Sequence, residues 1–332
     1  MLEHAITRRK GELEHYNAPL TMDPAELDAF WSDVLQAYAA KPLDVRRERA
    51  ESPFASVTVE RLTYLGYDET PIHGWFMVPE LQGHAESAAG AAHPLPCIVT
   101  FPGYTDDRGY PERYASWLLQ GYAVLAVDVR GQGGETGNYM PLRADAVKGW
   151  VSGNVLEPEG SYYHALTLDA IRAVDAAAAQ PETDAARLAV VGASQGGGLA
   201  LICGALNPSV TAVIADIPNM CHMDYGVLHS ASSLTELAQH LKRYPDRLEA
   251  VLRTLAHYDM LNLATRIQSP VLLSACWKDS VCLPETIYAV YNRITADKML
   301  LDYPFNGHEV SESQQRERIL FLNQHFRQYP SK

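Results

Sequence analysis

The chain has 332 residues, with 27 Lys and Arg against 40 Asp and Glu, so its formal net charge is −13. This acidic balance, with only short basic runs, argues against a nucleic-acid partner. No stretch approaches the roughly 20 apolar residues that a membrane-spanning helix needs, and residues 1–20 lack the apolar core of a secretory signal.

The cysteines indicate a reducing compartment. There are five of them, an odd number, and no C-x-x-C pair is present. We expect buried, reduced thiols in a cytoplasmic protein without a structural metal site; a secreted form that has lost its leader is the alternative. No G-x-G-x-x-G or P-loop opens a helix, so we expect no cofactor.

The first elements are a helix and two strands. Asp23 and Pro24 are typical of a helix start, and apolar residues then recur at helical spacing to Tyr38. We assign about residues 1–50 to an N-terminal helical extension. Residues 56–64 and 74–78 favour two strands that pair antiparallel.

The remaining chain alternates strands with helices. Continuous apolar runs predict six further strands, as a buried parallel sheet requires, at 97–101, 122–127, 188–191, 210–215, 271–275 and 299–303. Helical stretches separate or follow them, at 110–120, 163–179, 197–206, 234–256, 285–293 and 311–328.

These elements predict an α/β protein with a mostly parallel, eight-stranded, doubly wound sheet. We expect a single domain over residues 1–332, because no linker or repeat divides the chain. Two stretches are longer than ordinary connections, about 135–162 and 217–269. We expect these insertions to lie near the active site, as a lid, a specificity wall or an oligomer contact.

The segment Gly192-Ala193-Ser194-Gln195-Gly196 has the G-x-S-x-G pattern between a predicted strand and a predicted helix. A nucleophilic serine on a tight strand-to-helix turn has this context. By itself the pattern is short, and a glycine-rich turn with a passive serine is the alternative.

Two later loops supply the partners that a nucleophilic serine needs. Asp279 follows the seventh predicted strand and His308 follows the eighth. The order Ser194, Asp279, His308 is that of the α/β-hydrolases. His308 can take the serine proton through one ring nitrogen, while Asp279 fixes the tautomer by accepting from the other.

Other residues compete for the acid and base positions. Asp279 could instead be a helix cap or a solvated loop acid, with Asp302 inside the last strand and Asp259 as rival acids. Three other histidines lie on helix-like segments, which disfavours them as the base: His240, His257 and His325.

The oxyanion hole requires two N–H groups, one from the residue after the nucleophile and one from the loop after the third predicted strand. Gln195 is the first donor. In the second loop Pro102 has no N–H, and Tyr104 is therefore our choice, with its ring facing the acyl pocket. The alternative makes Tyr104 a packing residue.

With these residues, the chain resembles carbohydrate esterase family 7, the acetyl xylan esterase and cephalosporin C deacetylase group of α/β-hydrolases. The resemblance extends over nearly the whole chain, and its R-G-Q element is rare among other α/β-hydrolases. The matching motifs are Arg130-Gly131-Gln132, Gly192-Ala193-Ser194-Gln195-Gly196 and His308-Glu309.

The resemblance implies deacetylation of small acetylated molecules: xylo-oligosaccharides, sugar acetates and cephalosporins. It assigns nucleophile, acid and base to Ser194, Asp279 and His308, and oxyanion donors to Tyr104 and Gln195. It also implies a homo-oligomer, a ring-like hexamer whose entrance is narrowed by the first insertion. We expect a small acetylated substrate as the partner, with no nucleic acid and no membrane.

Arg130, Gln132 and Glu309 are expected to support the site rather than react. A guanidinium fork and an amide can tie catalytic loops together, although a direct substrate contact of Arg130 or Gln132 is the alternative. The chain departs from the family at Lys278, where a small apolar residue or Met is usual, and at the more polar segment 218–222.

The sequence leaves three alternative hypotheses for the function. The first is a serine esterase for short acyl groups. The second is a peptidase or lipid esterase on the same scaffold, although a peptidase usually carries a propeller or large cap that this length cannot hold. The third is a catalytically silent binding protein.

Overall fold

The computed structural model describes residues 4–80, 93–141, 146–147 and 149–326. In this part of the chain, nine strands form one sheet in the order β1-β2-β3-β5-β4-β6-β7-β8-β9. The strands β1 to β3 and β5 pair antiparallel in turn, and β5, β4, β6, β7, β8 and β9 pair parallel. The strands are β1 (Arg46–Arg49), β2 (Val57–Leu65), β3 (Pro71–Pro79), β4 (Leu95–Phe101), β5 (Ala123–Val127), β6 (Thr183–Ala193), β7 (Ala212–Asp216), β8 (Val271–Cys276) and β9 (Lys298–Tyr303).

Along the chain, helices precede the first strand, separate later strands and follow the last one. They are α1 (Ala5–Glu14), α2 (Pro24–Ala39), α3 (Ala115–Leu118), α4 (Tyr162–Ala178), α5 (Gln195–Leu206), α6 (Met223–His229), α7 (Leu234–Arg243), α8 (Leu248–Ala256), α9 (Met260–Leu263), α10 (Pro284–Tyr291) and α11 (Glu312–Phe326). Within the described residues, no helix is long and apolar enough to cross a bilayer.

Two hydrophobic layers cover the parallel strands. Alternate residues of one strand belong to different layers: Ile98 packs with α3 and α11, while Val99 packs with α4 and α5. This alternation follows from the two-residue period of a strand. Because both faces are covered, the strands read as continuous apolar runs, and the predicted doubly wound α/β architecture is confirmed.

The structure corrects the N-terminal part of the sequence prediction. Within the described residues the sheet has nine strands rather than eight, because Arg46–Arg49 forms an edge strand inside the segment assigned to a helical extension. Its four residues are all charged, so the sequence lacks the alternation of apolar and polar residues that would predict a strand. Ion pairs of Arg47 with Glu60 and Glu182 fasten it to the sheet.

The predicted helix at 234–256 is two helices. A short 3-10 turn at Pro245–Arg247 separates α7 from α8. Proline lacks the backbone N–H that a continuous helix would use, so the helix ends before it. The second insertion, 217–269, thus contains α6 to α9, while the described part of 135–162 is irregular up to α4. Residues 142–145 and 148 of that insertion lie outside the described residues.

His164 lies where α4 meets the N-terminal helix and the second insertion. It is buried, and its Nδ1 is 3.0 Å from the Tyr258 hydroxyl. Because that hydroxyl donates to the Pro158 carbonyl, Nδ1 carries the proton of a neutral imidazole. Burial, and next the charge of His257, lower the pKa of His164 from 6.5 to about 4.

We predict that His164 makes the fold sensitive to acid. The unfolded chain binds a proton at His164 as pH falls below about 6.5, whereas the folded chain resists it until about pH 4. The contribution of His164 to the free energy of unfolding is therefore complete above pH 6.5 and falls by about 3 kcal/mol as the pH is lowered toward 4. Urea unfolding of His164→Gln across this range should lack that loss, whereas the exposed control His93→Gln should keep it. Equal pH dependence in His164→Gln and the original protein would contradict the prediction.

Candidate active site

Ser194 lies on a tight turn between β6 and α5. Its backbone has φ 57° and ψ −122°, a conformation that non-glycine residues rarely adopt. The flanking glycines make the turn possible: a Cβ at Gly196 would lie 2.1 Å from the Phe101 carbonyl oxygen, and one at Gly192 would lie 2.2 Å from backbone atoms of Gly196. The G-x-S-x-G spacing is thus a steric requirement of this turn.

Backbone hydrogen bonds with β7, the segment after it and α5 hold the serine in place. Its N–H donates to the Asp216 carbonyl at the end of β7, at 2.9 Å. Its carbonyl accepts from the N–H groups of Gly198 (3.0 Å) and Asn219 (2.9 Å). These bonds offset the cost of the strained conformation, which is of order 1–3 kcal/mol.

The structure brings Ser194, His308 and Asp279 into one hydrogen-bonded chain. The Ser194 Oγ lies 3.0 Å from His308 Nε2, and His308 Nδ1 lies 2.8 Å from Asp279 Oδ2. Both distances are within normal hydrogen-bond range. Since an ionised carboxylate only accepts, Nδ1 carries the proton and Nε2 is free to accept from the serine. The serine is therefore next to a base in the correct tautomer.

Asp279 is held as a buried acceptor. Its side chain is inaccessible to solvent, whereas 30 % of the His308 side chain is exposed. The second carboxylate oxygen of Asp279 accepts from the N–H groups of Val281 (2.7 Å) and Cys282 (3.0 Å). These contacts satisfy the carboxylate and aim its other oxygen at the imidazole.

The two expected oxyanion donors lie at adjacent strand ends. Gln195 is the first residue of α5, and Tyr104 follows β4, whose Phe101 is paired in register with Gly192. In the described part of the chain, neither N–H donates to another protein group. The dipole of α5 adds positive potential beside the serine, so this edge of the sheet suits a developing negative charge.

Gln132 connects the loops of both expected donors. Its side-chain oxygen accepts from the N–H of Thr105, at 2.8 Å, and its side-chain nitrogen donates to Gln195 Oε1, at 2.9 Å. The same nitrogen donates to the Tyr162 hydroxyl (2.9 Å), which in turn donates to the Arg130 carbonyl (2.6 Å). One buried amide thus joins the Tyr104 loop to the residue after the nucleophile.

Arg130 lies one step further from the nucleophile. Its guanidinium is fully buried and makes a bidentate contact with Asp169 on α4, at 2.6 and 2.8 Å. It also donates to Asp68 in the β2–β3 turn and to Asn138 in the first insertion, at 3.0 and 3.1 Å. Burial lowers the pKa of Arg130, but the charge and hydrogen bonds of Asp169 outweigh burial and raise that pKa above its usual value. Arg130 therefore links three segments of the chain.

With this geometry established, comparison with known proteins gives the family. The family model for acetyl xylan esterases (AXE1) matches residues 9–326. The chain belongs to the acetyl xylan esterase family. It is therefore a carboxylic ester hydrolase, and its sheet and flanking helices are those of the α/β-hydrolase fold.

Known relatives agree with this assignment. The chain is similar to the acetyl esterase Axe7A of Xylanibacter ruminicola, with 26% identity, covering 92% of this chain and 68% of the relative. Among solved structures it is similar to an acetyl xylan esterase from Paenibacillus sp. R4 (32% identity, TM-score 0.89, 95% and 99% of the two chains). It is also similar to acetyl xylan esterase 1 from Thermoanaerobacterium sp. JW/SL YS485 (25% identity, TM-score 0.86, 95% and 98%).

The rival acids and bases have other partners in this acetyl xylan esterase family member. Asp302 accepts from the Trp277 indole and the Tyr288 hydroxyl. Asp259 is the N-cap of α9 and also accepts from the N–H groups of His222 and Met223. Both carboxylates are engaged away from His308. Of the rival histidines, His257 contacts the Arg253 carbonyl, His240 lies beside Tyr244, and His325 lies beside Phe321.

Glu309 and Lys278 lie at the outer edge of the site. A carboxylate oxygen of Glu309 accepts from the Asn306 side chain at 2.8 Å, within the loop that carries His308. Lys278 is exposed, and its Nζ lies 5.8 Å from the ring of the exposed Phe305. This departure from the family pattern is therefore at the surface, one residue before Asp279.

Glu236, Trp150 and Cys282 contact Tyr104 or Ser194 and were not identified from the sequence. The Tyr104 hydroxyl donates to Glu236 on α7 (2.7 Å) and accepts from the N–H of Trp150 (3.0 Å), so its ring joins the two insertions. Cys282 Sγ lies 4.0 Å from Ser194 Oγ. No local sequence pattern predicts contacts between residues so distant in sequence. Cys282 could have been placed near the site, because it lies three residues after Asp279.

We predict that Gln132→Met lowers kcat by about 10- to 100-fold with little change in KM. The loss should be smaller than removal of an oxyanion donor, about 10²–10³, because the amide holds the donors rather than supplying them. Steady-state hydrolysis of p-nitrophenyl acetate measures this. Gln180→Met, another buried glutamine, is the control because it contacts Arg47 and the Ala176 carbonyl. A raised KM with unchanged kcat would instead indicate that Gln132 binds substrate.

Proposed function

We propose that the protein is a serine carboxylesterase that removes acetyl groups from small acetylated carbohydrates and from cephalosporin-type acetyl esters. The observation that carries this proposal is the Ser194–His308–Asp279 chain, at 3.0 and 2.8 Å, in a member of the acetyl xylan esterase family. A general short-chain esterase with a non-carbohydrate substrate is the alternative.

In the proposed acylation step, Ser194 Oγ attacks the acetyl carbonyl carbon while His308 Nε2 takes the serine proton. The carbonyl oxygen becomes an oxyanion that the N–H groups of Tyr104 and Gln195 stabilise. His308 then donates the same proton to the departing alcohol oxygen. The C–O bond of the ester breaks, and Ser194 carries the acetyl group. Asp279 stabilises the imidazolium throughout.

In the proposed deacylation step, water replaces the alcohol beside His308. The imidazole takes one water proton as the hydroxide attacks the acetyl carbon, and the same two N–H groups hold the second oxyanion. His308 donates this proton to Ser194 Oγ as the bond between Oγ and the acetyl carbon breaks. The product leaves as acetic acid, which then ionises in water to acetate and a proton. The partly exposed His308 side chain is consistent with access of water to this position.

The surroundings of the serine support a short acyl group. The ring of Tyr104 is held by Glu236 and Trp150, and the Trp150 ring lies 5.6 Å from it in an edge-to-face arrangement. The Cys282 thiol lies 4.0 Å from Ser194 Oγ. These contacts tie the oxyanion loop to both insertions and favour a small, rigid pocket for the methyl group of acetate.

The names of the relatives support acetyl esters of carbohydrates as substrates, since three similar proteins are an acetyl esterase and two acetyl xylan esterases. Cephalosporins enter the proposal because they present the same acetyl group on a different alcohol. A homo-oligomer, by resemblance a hexamer, remains a prediction.

The test is a comparison of kcat/KM across acyl groups and alcohols. We expect p-nitrophenyl acetate to exceed the butyrate and octanoate esters, and acetylated xylo-oligosaccharides, sugar acetates and cephalosporin C to be hydrolysed. Ser194→Ala, as the matched control, should lose at least about 10³-fold in kcat, since removing a nucleophile typically costs more than that.

Each contrary result points to a different explanation. Octanoate turnover equal to that of acetate would favour a lipid esterase. Hydrolysis of aryl acetates without any acetylated sugar would favour the general short-chain esterase. Activity that survives Ser194→Ala would overturn the serine mechanism.

A further inference from the structure

The loop that carries His308 has polar anchors on both sides. It connects β9, which ends at Tyr303, to α11, which begins at Glu312. Gln314, in the first turn of α11, is fully buried. Its Oε1 accepts from the Tyr303 hydroxyl at 2.6 Å, so one side chain joins the residue before the loop to the helix after it.

The other end of the Gln314 amide contacts β7. Its Nε2 donates to Oδ1 of Asp216, the last residue of that strand. The Asp216 side chain is inaccessible to solvent, and its carboxylate also accepts from Ser274 Oγ (2.8 Å) and Arg318 Nε (2.6 Å). A buried carboxylate needs such partners, because burial without them penalises its charge.

Asp216 also contacts the nucleophile through its backbone. Its carbonyl accepts the Ser194 N–H at 2.9 Å, so Asp216 belongs to two groups of contacts. Its main chain holds the serine, and its side chain holds the helix that follows the His308 loop. We call Asp216, Tyr303, Gln314 and Arg318 the α11 clamp.

We propose that the α11 clamp sets the distance between His308 Nε2 and Ser194 Oγ, with Gln314 and Asp216 as positioning residues. The Asp279 contact orients the imidazole about its Nδ1, but by itself it does not fix how far the loop extends toward the serine. The clamp supplies that constraint because it ties both ends of the loop to the strand that holds Ser194. This inference rests on the proposed role of His308 as the base.

The mildest test removes only the bond between Tyr303 and Gln314. Tyr303→Phe deletes one hydroxyl and leaves the buried Asp216–Arg318 pair intact, so it should fold. Gln314→Met keeps the side-chain volume and deletes both amide contacts. For each variant we expect kcat on p-nitrophenyl acetate to fall about tenfold or more, since small misplacements of catalytic groups have large effects on rate. KM should stay within about twofold.

Two further readouts separate positioning from a general loss of stability. The two variants interrupt the same connection, so the double variant should lose no more kcat than Gln314→Met alone. The rate at which a fluorophosphonate labels Ser194 at 25 °C should fall with kcat, whatever the change in Tm. The shape of the kcat/KM pH profile should not change, because the contact between Asp279 and His308 remains.

Tyr288→Phe is the matched control. It also deletes a tyrosine hydroxyl that contacts β9, at Asp302 (2.9 Å), but it lies outside the clamp. It should keep the original kcat and labelling rate. The proposal is overturned if Tyr303→Phe and Gln314→Met keep the original kcat, if Tyr288→Phe loses as much as they do, or if the single losses multiply in the double variant. Loss of activity in Ser194→Ala together with full activity in the clamp variants would reject the clamp while leaving the proposed function in place.

Discussion

The site depends on one strained turn held against a parallel sheet. Ser194 adopts a backbone conformation that most residues avoid, and glycines on both sides allow β4 and α5 to approach it. The Asp216 carbonyl and the Asn219 N–H compensate for that strain with hydrogen bonds from the neighbouring segment. The turn places Gln195, whose N–H is an expected oxyanion donor, directly after Ser194 at the start of α5.

The polar contacts around this turn have different roles. His308 contacts the Ser194 hydroxyl, and Asp279 contacts His308. Gln132 connects the loop of Tyr104 to Gln195 at the start of α5, and Arg130 makes a buried bidentate pair with Asp169. Because removing one partner of a buried ion pair typically costs about 3–5 kcal/mol, the R-G-Q element has a structural explanation that does not require it to touch substrate.

Much of the fold and the centre of the site could be predicted from local patterns. Ser194, Asp279 and His308 each follow an apolar strand, and parallel strands bring their carboxyl ends to one edge. The strand at Arg46–Arg49 could not be predicted, because its four residues are all charged and it pairs with β2 without an apolar face. The contacts of Tyr104 with Glu236 and of Gln314 with Asp216 join residues 132 and 98 positions apart, so only the folded chain reveals them.

The most direct test of this account is the detection of an acetyl-enzyme. Rapid quenching of the protein with p-nitrophenyl acetate, followed by proteolysis and peptide mass spectrometry, locates the acetyl group. The account predicts a transient mass increase of one acetyl group on the peptide containing Ser194, which appears before steady-state turnover and is absent in Ser194→Ala. Turnover without acetylation, or an acetyl group that accumulates at catalytic rate on another residue, would contradict it.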